Sequence, residues 1–144
     1  MVCPGCGLVN DDGFNGPVHP YIQSSAFCWR HYGEVLAREY EDKNYWPAHR
    51  LTVDSYAAQH PDGTDRRAVQ SVHIHLMGLY SVLELGLSHE IVTKMLGTVI
   101  KKHKQDFYFL IRPEKIGVLT VLDILQAKNA QEHIQLVRSF ALSA

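Results

Sequence analysis

Two cysteines close to the start of this chain, in Cys3-Pro4-Gly5-Cys6-Gly7, restrict its fold more than any other feature. Two thiolates separated by two residues can grip one tetrahedral zinc ion from a tight turn, and Gly5 and Gly7 suit such a turn. The rival use of Cys-x-x-Cys, redox chemistry, belongs after a strand and at the start of a helix in a βαβ unit. Only Met1 and Val2 precede Cys3, so metal binding is the favoured reading. The third and last cysteine, Cys28, makes the number odd. The amino terminus also lacks the basic start and apolar run of a secretory signal, so the expected compartment is the cytoplasm. Disulfides are disfavoured there, and metal ligation or thiol packing must account for the cysteines.

After that pair, turn formers dominate through Asp11-Asp12-Gly13, Asn15-Gly16-Pro17 and His19-Pro20, which excludes a long helix before residue 24. Residues 1–24 are expected to be a loop-rich metal-binding arm. From Ser25 to Glu41 the apolar positions Cys28, Tyr32, Val35, Leu36 and Tyr40 recur at helical spacing, with Ser24 or Ser25 as cap. A second helix is expected from Trp46 to His60, with Pro47 in its first turn and Pro61 past its end. Pro61 to Asp65 reads as a turn. A third helix, Arg66 to Leu85, is apolar nearly all round and is therefore the expected central one. Ser88 would cap a fourth helix, whose last turn carries Lys101, Lys102 and Lys104. Phe107-Tyr108-Phe109-Leu110-Ile111 fits a strand or a buried extended segment equally well. Thr120 with Asp123, and Asn129 with Glu132, resemble capping boxes for two further helices. The expected fold is mainly α: residues 1–144 as a single-domain helical bundle, 25–144, carrying the zinc-binding arm 1–24.

At 144 residues the chain can bury an apolar core without staples. Its 14 Lys and Arg against 15 Asp and Glu give no global pull toward nucleic acid or an anionic membrane. The longest stretch without formal charge, Ala68 to Leu83, is shorter than the ~20 apolar residues needed to span a bilayer. A basic helix end at Lys101-Lys102-His103-Lys104 is expected from the helix dipole alone, so nucleic acid is not the expected partner. Glycine-rich phosphate loops, Gly-x-Ser-x-Gly elbows and His-Glu-x-x-His pairs are all missing from the sequence, which removes the commonest enzyme classes.

A structural zinc site needs two ligands beyond Cys3 and Cys6, and Cys28 is the obvious third. If the first two helices form an antiparallel hairpin turning near Asn44, positions whose numbers sum to about 88 lie side by side. Cys28 then falls opposite His60. His31, one turn along from Cys28, is the competing fourth ligand. The chain has nine histidines, so several must be bystanders. His19, His89, His103 and His133 sit in polar surroundings and read as surface residues. His73 and His75 lie about 200° apart on the third helix and cannot share an ion. His49 lies on the same face as His60 but about 16 Å along the axis, within reach of His75 across the next turn. His49, Asp54 and His75 are therefore expected to form a second polar cluster. A buried Asp54 would need a partner, for which Arg30, His73 or Ser71 are candidates.

The string His49-Arg50-Leu51-Thr52-Val53-Asp54-Ser55-Tyr56, followed by Gln59-His60-Pro61, resembles the signature of a bacterial family of unknown function. The amino-terminal Cys-Pro-x-Cys-Gly, the cysteine opening the first helix and Leu36 to Glu39 resemble the same family. So do Ser71, His75 and Leu76 on the third helix and the segment Leu119 to Asp123. The resemblance spans nearly the whole chain and implies His60 rather than His31 as fourth ligand, because Gln-His-Pro belongs to the pattern. It implies no activity. The expected function is that of a small zinc-binding module with a structural metal, Cys3, Cys6, Cys28 and His60, recognising an unknown protein or small molecule. The alternative is a metal-dependent hydrolase-like enzyme, in which a zinc-bound water works beside His49, Asp54 or His75.

Overall fold

Ser25 sets the first helix boundary, because its hydroxyl accepts from the Cys28 amide at 3.1 Å and satisfies one of the donors a helix start leaves unpaired. The computed structural model describes residues 1–10, 12–61, 66–107 and 118–144. Residues 62–65 of the expected turn and 108–111 of the aromatic run lie outside the described residues. Six α-helices follow the arm: α1 Ala26–Glu41, α2 His49–Gln59, α3 Arg66–Leu83, α4 His89–His103, α5 Val121–Leu125 and α6 Ala130–Ser143. The described residues contain no β-strand, so the chain is mainly helical, as its periodicities indicate.

Pro47 shapes the entry to α2. Trp46–Ala48 form a 3₁₀ turn, and the α-helix proper begins only at His49, later than the periodicity suggests. The two carboxy-terminal caps follow their sequence signals. Thr120 and Asp123 make a reciprocal capping box at α5. Asn129 accepts from the Glu132 amide at α6, whereas Glu132 reaches past the cap to accept from the Lys128 amide at 2.8 Å.

The centre of the bundle is α2, not the expected third helix. In α2, Leu51, Thr52, Asp54, Ser55, Tyr56, Ala57 and Gln59 are buried, and the helix packs on α3, α6 and α1. In α3 only Ala68, Gly78, Leu79 and Ser81 are buried, while Leu76 and Tyr80 are exposed. Hydropathy misplaces the centre because α2 buries polar groups in pairs. Thr52 donates to Glu39 at 2.5 Å, and Gln59 donates to the Leu119 carbonyl at 2.7 Å.

Helices α1 and α2 are antiparallel in the register set by a turn near Asn44. Cys28 meets His60, the Tyr32 ring stacks on Tyr56 at 3.8 Å, and Glu39 accepts from His49. Each of these pairs sums to 88. The arm packs against the Cys28 and His60 end of this hairpin. Val2 and Val9 form an antiparallel bridge around the Cys-Pro-Gly-Cys turn, where Gly7 takes a positive φ of 79° that other residues adopt at a cost. Ile22 bridges Pro61, and the Gln23 amide donates to the His60 carbonyl at 3.0 Å, clamping the arm to the end of α2. No helix among the described residues is long and apolar enough to cross a membrane.

Candidate metal centre

Cys3, Cys6, Cys28 and His60 come together from three separate stretches of chain. Their ligand atoms all lie within 4.8 Å of one another, and Cys3, Cys28 and His60 are buried. The turn of the arm supplies Cys3 and Cys6, with the Gly7 amide donating to the Cys3 carbonyl at 2.9 Å. The first turn of α1 supplies Cys28, and the residue closing α2 supplies His60.

Two distances can be set against a tetrahedral ion. With Zn–S near 2.3 Å and Zn–N near 2.05 Å, the sulfur–sulfur edge of the tetrahedron is about 3.8 Å and the sulfur–nitrogen edge about 3.6 Å. Cys6 Sγ and Cys28 Sγ are 3.7 Å apart, and Cys28 Sγ and His60 Nε2 are 3.4 Å apart.

The tautomer of His60 suits the same role. A backbone carbonyl only accepts, so the 2.8 Å contact of His60 Nδ1 with the Tyr56 carbonyl requires the proton on Nδ1. With that proton on Nδ1, Nε2 is the nitrogen left for a metal, the outer-shell arrangement common to metal-ligating histidines. Tyr56 also stacks on the His60 ring at 3.9 Å, and its hydroxyl lies 3.3 Å from Cys28 Sγ. The Ser25 amide donates to Cys3 Sγ at 3.4 Å. Tyr56 lies one turn before His60 on α2, and only its place in the resemblance motif marked it in the sequence.

Three sulfurs this close cannot all ionise unaided. Hydrogen bonds from the Cys28 and Cys6 thiols hold the Cys3 thiol far below its usual range, against the effect of burial. Cys28 is driven far above its usual range by Cys3 and Cys6, with burial adding to the shift. The Cys28 bond pulls Cys6 down, but Cys3 and burial prevail and push it up to about 11. A divalent ion among the three sulfurs would let all of them ionise. Burial, with Cys28 next, raises the Tyr56 phenol, so its hydroxyl stays a donor.

Gly5 is required by close approach. A Cβ there would run into the His60 ring and lie 2.7 Å from the Gln23 carbonyl oxygen. Gly5→Ala is expected to destabilise the protein by about 1–3 kcal/mol through overpacking. It should also weaken metal affinity about 10–100-fold by turning the His60 ring. Thermal unfolding and competition against a chromophoric chelator measure the two effects.

The remaining histidines are arranged differently. His31 pairs with Glu34 at 3.1 Å and is not in the cluster. His49 donates Nδ1–H to Glu39 at 3.0 Å, and His75 donates Nδ1–H to Asp54 at 2.8 Å. The expected polar cluster is therefore two carboxylate–imidazole pairs, although His49, Asp54 and His75 line one cleft. The partners of Asp54 are Arg50 and His75, not Arg30, which instead faces Asp12 at 3.7 Å. His133, expected at the surface, is fully buried and donates to Glu39 at 2.8 Å. Glu39 entered the sequence reading only as part of a resemblance motif, and nothing in its immediate neighbours marks it as buried.

No curated protein and no solved structure matches the chain. Residues 1–144 match a family of unknown function, DUF5946, over their full length. A chain matched from end to end in this way, with its Cys and His residues set out as above, belongs to the DUF5946 family.

Proposed function

We propose that this chain is a small zinc-binding helical domain whose metal is structural, acting as a binding or regulatory module for a protein or small-molecule partner. In this reading residues 1–144 are one domain, residues 1–24 are its metal-binding arm, and the three free thiols suit a reducing cytoplasm. The carrying observation is the gathering of His60 Nε2, oriented by the Nδ1 bond to Tyr56, with three cysteine sulfurs within 4.8 Å, two of the spacings being close to the edges of a zinc tetrahedron. Soft thiolates with one imidazole favour zinc among the common biological divalent ions. Four protein ligands leave no open position for a reacting water. The cleft lined by His49, Asp54 and His75 has none of the four in its lining, which favours the structural role over the hydrolase-like alternative.

Elemental analysis of protein purified without a His tag tests the proposal. About one zinc per chain is expected, lost in both Cys28→Ser and His60→Ala. Freshly reduced protein without metal would sink it. Because Cys6 and Cys28 are held above the usual thiol range, loading near neutral pH should release protons, so affinity should fall on acidification. Calorimetry in buffers of different ionisation enthalpy counts those protons.

A further inference from the structure

Helices α2, α3 and α4 line a cleft of about 720 Å³, within the range of small-molecule sites. One chain of hydrogen bonds ties the three helices together along it. Arg50 Nη1 donates to Asp54 Oδ2 at 3.2 Å, His75 Nδ1 donates to Asp54 Oδ1 at 2.8 Å, and Arg50 Nη2 donates to Thr93 Oγ1 at 2.9 Å. Gly78 of α3 locks this arrangement, since a Cβ there would lie 2.5 Å from Asp54 Oδ2 and 3.0 Å from Arg50 Nη1.

The donors and acceptors in the cleft are unequally used. The Asp54 side chain, 3% exposed, faces Arg50 and His75, one on each of its oxygens. Arg50 has five N–H donors and uses two among the described residues. Its side chain, 20% exposed, lines the cleft, and Lys94 adds a second cation to the same wall. Glu90, the other acid of the lining, is exposed and one helical turn from Lys94. Val53, Ile74, Leu96 and Ile100 supply an apolar surface. Among the described residues, three or more metal-ligating groups converge only at the cysteine cluster, so these histidines do not form a ready cation site.

We propose that this cleft is a binding site for a small organic carboxylate with an apolar body. Arg50 takes the carboxylate with its remaining fork of N–H donors, the geometry in which guanidinium and carboxylate pair most strongly. The apolar wall takes the body. The proposal stands apart from the zinc reading, because no metal ligand lines the cleft.

The test titrates the protein as purified with 2-naphthoate and with 2-naphthalenemethanol, which has a similar aromatic body and no charge, followed by calorimetry and amide NMR. Saturable naphthoate binding is expected, with the alcohol at least about tenfold weaker. Arg50→Lys keeps the charge but loses the fork, and should weaken naphthoate about tenfold. Gly97 of α4 also lines the cleft, and a Cβ there meets nothing within 4 Å. Gly97→Leu should therefore fill the cleft, leave the thermal midpoint unchanged or higher, and abolish binding. Equal affinity for acid and alcohol, unchanged binding in Gly97→Leu, or no saturable naphthoate binding would each overturn the proposal.

Discussion

Stripping the proposed zinc with a strong chelator is expected to lower the thermal midpoint by about 10–20 °C. Zinc binding to small finger peptides is worth about 10–16 kcal/mol, but those sites do not exist before the ion arrives. Here the aromatic stack of Tyr32, Tyr56 and His60 and the clamp of Gln23 on the His60 carbonyl hold much of the site in place. A loss of about 5 kcal/mol is the corresponding expectation, and in a domain of this size it gives the stated shift. Cys28→Ser should behave in the same way, because it removes the ligand at the middle of the cluster. The loss should be local at first. Amides of residues 1–10 and 22–25 should exchange rapidly after chelation while those of α6 remain protected, since the arm has few other buried contacts. Unchanged exchange in the arm would separate the cysteines from any part in holding it.

Glu39→Ala is expected to cost about 3–5 kcal/mol, the largest effect of any single substitution away from the metal centre. The Glu39 side chain is fully buried and accepts from three groups: His49 at 3.0 Å, Thr52 at 2.5 Å and His133 at 2.8 Å. Removing the carboxylate leaves three donors facing an apolar gap, and the unmade bonds dominate the cost. Glu39→Gln keeps the shape and one acceptor oxygen but turns an amide NH₂ toward the donors, so an intermediate loss is expected. Urea unfolding measures both; the midpoint should fall with an unchanged slope. A loss below about 1 kcal/mol in Glu39→Ala would mean that water or a shifted histidine replaces the carboxylate.

The helices of this protein are legible in its sequence where they depend on local chemistry. Ser25, Thr120 and Asn129 mark starts that the structure reproduces, because a capping hydroxyl or amide acts within three residues of itself. The hairpin register near Asn44 is also legible, since two helices joined by a short turn have few ways to pair, and it brings Cys28 to His60. Burial on α2 is not legible. Nothing near Thr52 or Gln59 in the sequence marks them as buried, and only partners far along the chain, Glu39 for Thr52 and Leu119 for Gln59, permit their burial. His133 and Glu39 were missed for the same reason, being 94 positions apart and explicable only as a pair. Tyr56 was within reach of the sequence, because one helical turn separates it from His60.

The spacing of the four cysteine and histidine positions also has a kinetic side. Cys3 and Cys6 close a turn of four residues, whereas Cys28 and His60 are 32 positions apart and meet only when α1 and α2 have paired. The entropy of closing a loop rises with its length, so an ion meets the amino-terminal pair long before the other two ligands are within reach. A partly liganded ion on Cys3 and Cys6 then binds far more tightly to the paired helices than to open ones. The ion would thus act late in folding, rewarding chains whose hairpin is already in register and leaving misregistered ones only loosely metallated.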